Sequence, residues 1–574
     1  MGVPGFFLWF IKKHKGKKFV FKKNPEYEEH KMDDVDMLLI DANCLLHPQC
    51  FKVLAQYQEL TDKNKLEKKM IEKCIEYLQY LIEFTGPKKE IYIAIDGVAP
   101  CAKIKQQRQR RFKSVKTRNV FNGIKKKYNK KIENQWNNSA ITPGTDFMQL
   151  ITKAVLKFVK EYNFKGKIIF SSANTPSEGE HKLLQYIRNS EKEYKYAIYG
   201  LDADLIFLAL AANKPNIYLF REASEIDHIN KEHELLNYVS IDILKQCILQ
   251  EINDLLFDEF IERDLDDESV IRDFIFVCYF LGNDFLPHNP LIDIKAYRNK
   301  TVNGLDLLLQ AYAHSYDNLE EYLVLIDDNG DIKYNKPFLQ MFLEYITAFE
   351  NEYFVTLYGT KKYRHRCLDK DPYVQEMHRI NNLMFKIDNP IKLGKDCPDD
   401  WKFRYYKKYY FTEINQREIV RNACNKYFEG LVWIANYYFK KCPSWDWYYP
   451  YDHSPFISDM LEFIKRYDFD NVKFDLGKPL KPIEQLLCVL PPQSGYLLPR
   501  NCIWLMKNIK SPIIDLYPYD FEVDFLYKHK YWQGIPILPD LNIPGVKEAV
   551  KRIRFDTETQ KKNEIKDIHI IEKS

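Results

Sequence analysis

The sequence predicts an α/β fold with a largely parallel central sheet flanked by helices, and a second, mainly helical region packed against it. Short apolar runs recur through the first part of the chain, and the segments between them are long enough for crossover helices. Residues 401–441 instead carry aromatic and aliphatic side chains at helical spacing. The predicted strands are residues 37–41, 91–96, 167–171, 196–202 and 217–220.

The composition is that of a large folded protein. With 574 residues, 45% of them hydrophobic, the chain exceeds what one core organises, so two or more domains are expected. Its 12 cysteines include no C-x-x-C pair, which argues against a structural zinc site or a disulfide framework. A reducing compartment is the simpler interpretation. We therefore expect a cytoplasmic monomer, with the nucleus as the alternative location.

The N-terminal apolar stretch, residues 3–11, lacks the basic leader and the small-residue cleavage site of a signal peptide. No apolar run reaches the roughly 18 residues of a membrane span. These two features predict a protein that does not associate with membranes.

The net charge of +4 is too small to indicate a nucleic-acid partner, but the charges are unevenly distributed. Residues 103–131 contain thirteen Lys or Arg and no acidic residue. In a helix, Lys103, Gln107, Arg110 and Arg111 would form one stripe of hydrogen-bond donors. Such a stripe fits a phosphate, and a solvated helix face is the alternative explanation.

Three of the predicted strands end in aspartate, namely Asp41, Asp96 and Asp202. The carboxyl ends of parallel strands meet at one edge of a sheet, where open α/β folds build their sites. We therefore expect these three side chains to converge. Each could instead do no more than cap the helix that follows it.

Further carboxylates join this group. Asp202 and Asp204 form a D-x-D, Glu178 and Glu180 form an E-x-E, and Asp284 follows the apolar segment 274–281. Seven carboxylates gathered at one edge would repel one another unless cations held them. Oxygen ligands favour Mg²⁺ or Mn²⁺ over Zn²⁺, and two ions would suit an in-line phosphoryl displacement. The residues thus predict a Mg²⁺-dependent phosphodiesterase with a basic phosphate pocket.

Long motifs surround these residues in a fixed order. They include LLIDANCLLH (38–47), AIDGVAPCAKIKQQRQRRF (94–112), PSEGEHKLLQYIR (176–188), YGLDADLIFLAL (199–210), FVCYFLGNDFLPH (276–288) and GLVWIANYYFKKCPSWDWYYPYDHSPFISDM (430–460). Together they resemble the successive motifs of the Xrn family of 5′-to-3′ exoribonucleases over nearly the whole chain. The resemblance implies a 5′-nuclease/PIN-like core and processive hydrolysis of 5′-monophosphorylated single-stranded RNA to mononucleotides, in RNA decay.

The resemblance also implies roles for individual residues. The same seven acids would be the catalytic, metal-binding residues, and Lys103, Gln107, Arg110 and Arg111 would bind the 5′-terminal phosphate. His47 matches the family histidine that stacks on the first bases. A tryptophan of the second homologous region would stack on the other side, and we prefer Trp433 to Trp445 for this role.

The expected organisation has three parts. Residues 1–354 form the first homologous region with the metal site, residues 355–400 a polar linker, and residues 401–574 the second region, which encloses the active site. The end of the chain, residues 551–574, is expected to be frayed or helical.

The chain departs from the family motifs at two positions. Ser177 stands where the family usually has Gly, which predicts backbone strain if φ must be positive there. Cys101 stands where the family commonly has Arg, which removes one positive charge near the phosphate pocket. Two other functions remain open, a flap-type DNA endonuclease with the same acids and a non-catalytic RNA-binding scaffold.

Overall fold

The computed structural model describes residues 6–14, 20–22, 34–132, 136–200, 204–222, 236–256, 264–292, 304–359 and 367–573. Its strands are β1 (Val20–Lys22), β2 (Met37–Asp41), β3 (Glu90–Ala94), β4 (Gly166–Ser171), β5 (Tyr196–Tyr199), β6 (Ile217–Glu222), β7 (Leu236–Ser240), β8 (Val324–Ile326), β9 (Ile332–Tyr334), β10 (Val523–Asp524), β11 (Ile535–Pro536) and β12 (His569–Lys573).

The helices of the first part of the chain are α1 (Phe6–Lys13), α2 (Ala42–Gln56), α3 (Lys63–Thr85), α4 (Cys101–Lys127), α5 (Asp146–Glu161), α6 (Gly179–Arg188), α7 (Asp204–Ala211), α8 (Ile241–Leu255), α9 (Asp267–Cys278), α10 (Gly304–Leu319) and α11 (Lys336–Gly359). Those that follow are α12 (Pro372–Asn381), α13 (Pro398–Tyr409), α14 (Gln416–Phe439), α15 (Ile457–Ile464), α16 (Pro482–Val489), α17 (Trp504–Lys507), α18 (Ile543–Lys551) and α19 (Thr557–Lys562).

Eight strands form one sheet in the order β1-β7-β6-β5-β2-β3-β4-β12. The five central strands, β6 to β4 in that order, are parallel, and the outer pairs are antiparallel. The five strands that the sequence predicts are these five, so the largely parallel α/β sheet is confirmed. From β2 the chain adds β3 and β4 on one side, and it then returns to add β5 and β6 on the other side of β2. The direction in which strands are added therefore reverses between β2 and β5.

The sheet is covered on both faces. Along β2, Met37 and Leu39 join the core on one face with α6, α7 and α8, while Leu38 and Ile40 join the core on the other face with α2, α3 and α5. Every residue of β2 is buried, which is why its sequence is continuously apolar up to Asp41.

The second region shares a core with the first. Trp401 of α13 and Trp433 of α14 belong to the same buried cluster as Phe280 and Phe342 of the first region. The segment 355–400, expected to be a linker, contains the end of α11 and all of α12. In the tail, α19 is helical as expected, whereas residues 569–573 form β12, which pairs with β4. None of the described helices is long and apolar enough to cross a bilayer.

Helix α4 joins the two regions through a buried arginine. The Arg108 side chain is only 2% exposed, and its guanidinium donates to the carbonyls of Cys488, at 3.1 Å, and Leu516. Neighbouring Ile104 and Phe112 pack in the core that α4 forms with α16 and α18. One arginine of the basic run is therefore structural.

The backbone at Ser177 is strained, as the sequence predicts. Its φ is +93°, a region that side chains disfavour. Two backbone hydrogen bonds fix this conformation, from Ser177 N–H to the Val98 carbonyl at 2.8 Å and from Gly97 N–H to the Ser177 carbonyl at 2.9 Å. These bonds tie the loop that precedes α6 to the segment that follows β3.

Replacing Ser177 with Gly should stabilise the protein, because glycine adopts a positive φ without the steric cost. We expect Ser177→Gly to raise the free energy of unfolding by about 1 kcal/mol. Ser114→Gly, at an exposed position inside α4, should lower it by about 0.5 kcal/mol. Thermal melting in EDTA measures both, and a lower melting temperature for Ser177→Gly would contradict the strain.

Removing the Arg108 guanidinium should destabilise the joint between the regions, since two buried carbonyls lose their charged donor. We expect Arg108→Ala to lower the free energy of unfolding by about 3 kcal/mol. Arg110→Ala, at an exposed position of the same helix, should change it by less than about 0.5 kcal/mol. Denaturant unfolding compares them, and equal effects would show that Arg108 is not structural.

Candidate active site at the carboxyl edge of the sheet

The predicted acids gather at the carboxyl ends of the central strands. Asp41 is the last residue of β2, Asp96 follows β3, and Asp204 begins α7, after β5. Glu178 and Glu180 lie at the start of α6, which follows β4. Asp284 comes from the segment after α9, and Lys103 connects it to this group. Asp202 lies outside the described residues.

Asp41 and Asp96 are linked through Asn43. The Asn43 amide donates to Asp96 Oδ2 at 2.8 Å, and its backbone N–H donates to Asp41 Oδ1 at 3.2 Å. Asp41 is thus also the N-cap of α2. Asp41 therefore caps α2 and also lies beside Asp96, because a carboxylate has about four lone-pair sites and can accept from several donors.

Gly179 lets α6 approach these two carboxylates closely. Its N–H donates to Asp96 Oδ1 at 2.6 Å. A Cβ at this position would lie 2.7 Å from Asp41 Oδ1 and 3.3 Å from Asp96 Oδ1. A larger residue between Glu178 and Glu180 would clash with Asp41. The close approach that Gly179 allows brings both glutamates to the edge that carries the aspartates.

Lys103 connects two of the acids. Its Nζ lies 2.7 Å from Glu178 Oε1 and 2.7 Å from Asp284 Oδ2, and all three side chains are buried. Burial alone would lower the pKa of Lys103, but Asp284 and Glu178 raise it well above the usual lysine value. Burial would raise the pKa of Asp284, and Lys103 reverses this shift, so that carboxyl is ionised at neutral pH.

The arrangement fits a divalent cation. Ligand atoms of Glu178, Glu180 and His181 all lie within 4.8 Å of one another. Burial, with Arg188 next in importance, lowers the pKa of His181 well below its usual value, so its imidazole is neutral and able to bind a metal. Buried carboxylates supply the hard oxygen donors that Mg²⁺ and Mn²⁺ prefer.

The donor stripe on α4 faces the site only in part. Gln107 is buried, Arg111 is half-buried and Arg110 is exposed. Among the described residues, Arg111 Nη1 and Gln107 Oε1 are buried without a hydrogen-bond partner. Burial, with the neighbouring Arg110, lowers the pKa of Arg111 to about 9, which leaves it charged at neutral pH. The Arg111 guanidinium can therefore donate to an anionic ligand, whereas Gln107 Oε1 can only accept a hydrogen bond.

Other cations of the basic run bind the second region instead. The Lys105 ammonium donates to the Tyr451 carbonyl at 2.9 Å and pairs with Asp452, and that of Lys116 pairs with Asp520. Part of the run therefore lies at the joint between the regions, a role that neither the phosphate stripe nor the solvated helix face anticipated.

The predicted stacking residues differ in accessibility. His47 on α2 is half-buried. Trp433 is completely buried, stacks against Tyr437 and Trp447, and donates from Nε1 to the Ser444 carbonyl at 3.1 Å. Base stacking by Trp433 stays a prediction, and it would require the rings around this side chain to move. Trp445, the alternative, is half-buried, and its carbonyl accepts from Cys101 N–H at the start of α4.

Several residues of the site were not found from the sequence. Asn43 lies two residues after Asp41 in the first motif, and His181 directly follows Glu180 in another. Their nearness to predicted acids could have indicated a place in the site. Gln106 of α4, which precedes Gln107 of the donor stripe, donates to Asp284 Oδ1 at 3.4 Å. Tyr437 of α14 donates to Glu178 Oε2 at 3.3 Å, and nothing in its sequence separates it from neighbouring core tyrosines.

Two family models match the chain. The one described as XRN 5′-3′ exonuclease N-terminus matches residues 1–223, and the one described as Xrn1 helical domain matches residues 264–390 and 358–573. The first therefore covers six of the eight strands of the sheet and six of the seven predicted acids, and the second covers the helical region.

Named relatives agree with these models. The chain is 27% identical to 5′-3′ exoribonuclease 2 of Candida albicans and 28% identical to that of Arabidopsis thaliana, over 96% of this chain and 72% and 67% of those proteins. It is 30% identical to human 5′-3′ exoribonuclease 1, over 96% of this chain and 34% of that protein. The matched motifs, the sheet and the acidic edge thus have one explanation: the chain belongs to the Xrn family of 5′-3′ exonucleases.

Proposed function

We propose that this protein is a processive 5′-to-3′ exoribonuclease that hydrolyses 5′-monophosphorylated single-stranded RNA to mononucleotides in RNA decay. The observation that carries the proposal is the buried acidic edge with a basic helix beside it, in a chain of this family. Relatives of the same family are named 5′-3′ exoribonucleases. A lost catalyst would have no chemical reason to keep so many buried carboxylates together.

Two Mg²⁺ ions, or Mn²⁺ in their place, are the proposed cofactors. Bound at the acidic edge, they would supply Lewis-acid stabilisation of the charge that develops on the scissile phosphate. The residues proposed to hold them and to support catalysis are Asp41, Asp96, Glu178, Glu180, Asp202, Asp204 and Asp284. His181 is a further candidate ligand, since its ring nitrogen lies within reach of both glutamates.

The 5′-terminal phosphate is proposed to bind Lys103, Gln107, Arg110 and Arg111. Arg111 Nη1 is buried without a partner among the described residues, so an arriving phosphate would satisfy it. Lys103 contacts two of the acids, which supports a position for its ammonium between the proposed phosphate pocket and the proposed metal site. A pocket sized for one phosphate would exclude a triphosphate or a cap.

Processive degradation follows from this layout. Each cleavage leaves a new 5′ monophosphate on the remaining RNA. When the strand advances by one nucleotide, the same pocket captures that phosphate, so the product of one cycle is the substrate of the next. Stacking of bases on His47 and on Trp433 would hold any sequence equally, because every base has a π face. We further propose that the protein acts as a cytoplasmic monomer.

The chemistry can be tested with 3′-labelled single-stranded RNA that carries either a 5′ monophosphate or a 5′ triphosphate. We expect rapid Mg²⁺-dependent loss of the monophosphate RNA alone, and none in EDTA. Asp96→Asn should slow degradation at least about 100-fold, since it weakens the metal site. Asp62→Asn, which keeps a good cap on the exposed end of α3, should leave the rate unchanged.

Two results would replace the proposal, one from this time course and one from the same assay on branched DNA. If both RNAs bound but neither was cut, a non-catalytic RNA-binding scaffold would explain the protein better. If branched DNA were cut internally while the RNA survived, the chain would be a flap-type DNA endonuclease.

The phosphate pocket has its own test. Arg110→Ala/Arg111→Ala should lower kcat/KM for 5′-monophosphate RNA roughly 100-fold, because two charged hydrogen bonds to the phosphate are lost. Arg118→Ala/Lys126→Ala removes the same charge from later turns of α4 and should have little effect. Single-turnover kinetics on both variants compares them, and equal losses would mean that only the general charge of the helix matters.

A further inference from the structure

Tyr437 connects the second region to the acidic site. Its hydroxyl donates to Glu178 Oε2 at 3.3 Å, while Lys103 Nζ lies 2.7 Å from Oε1 of the same carboxylate. The two oxygens of Glu178 are therefore held by side chains from different regions of the chain. Tyr437 is only 2% exposed, so bulk water does not compete for this contact.

The ring of Tyr437 lies between two acidic segments. Its centroid is 3.7 Å from that of His181, which follows Glu180, and 5.4 Å from that of Phe285, which follows Asp284. On α14 itself it stacks on Trp433, with centroids 4.8 Å apart. These contacts leave the phenol little freedom to rotate, so its hydroxyl has a fixed direction.

The hydroxyl is a donor at neutral pH. A tyrosine phenol ordinarily has a pKa of about 10, so it is protonated at neutral pH. A protonated phenol can donate its one hydrogen to a carboxylate oxygen and orient it. Partners that orient metal-binding side chains typically change metal affinity by about 10- to 100-fold when removed.

We infer that Tyr437 is a positioning residue that orients Glu178 for cation binding, so that the second region contributes directly to the affinity of the metal site. The inference deepens the proposed function and rests on it, since it concerns the same acids. It assigns α14 a chemical role besides packing against the first region.

The chain offers a matched control on the same helix. Tyr427 is also completely buried on α14, and its hydroxyl donates at the same 3.3 Å distance, but to the carbonyl of Pro287. Tyr427→Phe therefore removes an equivalent hydrogen bond without touching a carboxylate. Both Phe variants keep the ring and its packing.

The test is a titration of the full chain with Mn²⁺, with free Mn²⁺ measured by electron paramagnetic resonance. We expect Tyr437→Phe to weaken Mn²⁺ binding about tenfold and Tyr427→Phe to change it less than twofold. In RNA degradation, the Tyr437→Phe variant should require a higher Mg²⁺ concentration for its half-maximal rate. At saturating Mg²⁺ it should recover most of the wild-type kcat. Added to Glu178→Gln, Tyr437→Phe should cause no further loss of Mn²⁺ binding.

Equal Mn²⁺ affinity of the two Phe variants would overturn the inference. So would an undiminished effect of Tyr437→Phe in the Glu178→Gln background, because the hydroxyl would then act through another group. If the wild-type chain binds Mn²⁺ but degrades no RNA, the proposed function fails, and the Mn²⁺ titration still decides the role of Tyr437.

Discussion

Mutual repulsion among buried carboxylates is the constraint on which the rest of this structure depends. The acids at the carboxyl edge come from five separate segments, and bringing them together out of water costs free energy unless each is held by a donor. The fold supplies those donors locally, through Asn43, Gly179 and Lys103. The negative charge that remains at this edge favours binding of a cation. A cation bound there would stabilise the charge that develops when a phosphate ester is hydrolysed.

Helix α4 shows how one segment can serve both architecture and chemistry. One face carries Ile104, Arg108 and Phe112 into the core shared with the second region. Lys103 of the same helix contacts the acids Glu178 and Asp284. Because these buried contacts anchor the helix, Lys103 is held in a fixed position beside the acids. The position of Lys103 relative to the acids therefore depends on contacts with the second region.

The second region also contributes to the site itself. Its helix α14 packs Trp433 and Tyr437 against Phe285, and Tyr437 contacts Glu178. Trp433 is completely buried, so its position in the structure does not distinguish base stacking from core packing. A tryptophan in a motif indicates that an aromatic ring is needed there, but core packing and base stacking both require one.

The sequence by itself determined the five central strands and the approach of Asp41 and Asp96 at their carboxyl edge, and its resemblance to the family motif indicated the strained backbone at Ser177. The strands and their shared edge follow from local rules, since apolar runs form buried strands and parallel strands end at one edge. Only the tertiary structure decided which cations of the basic run are structural, where the tail pairs, and that Tyr437 contacts Glu178. Those outcomes depend on contacts between residues hundreds of positions apart, whose partners no local pattern encodes.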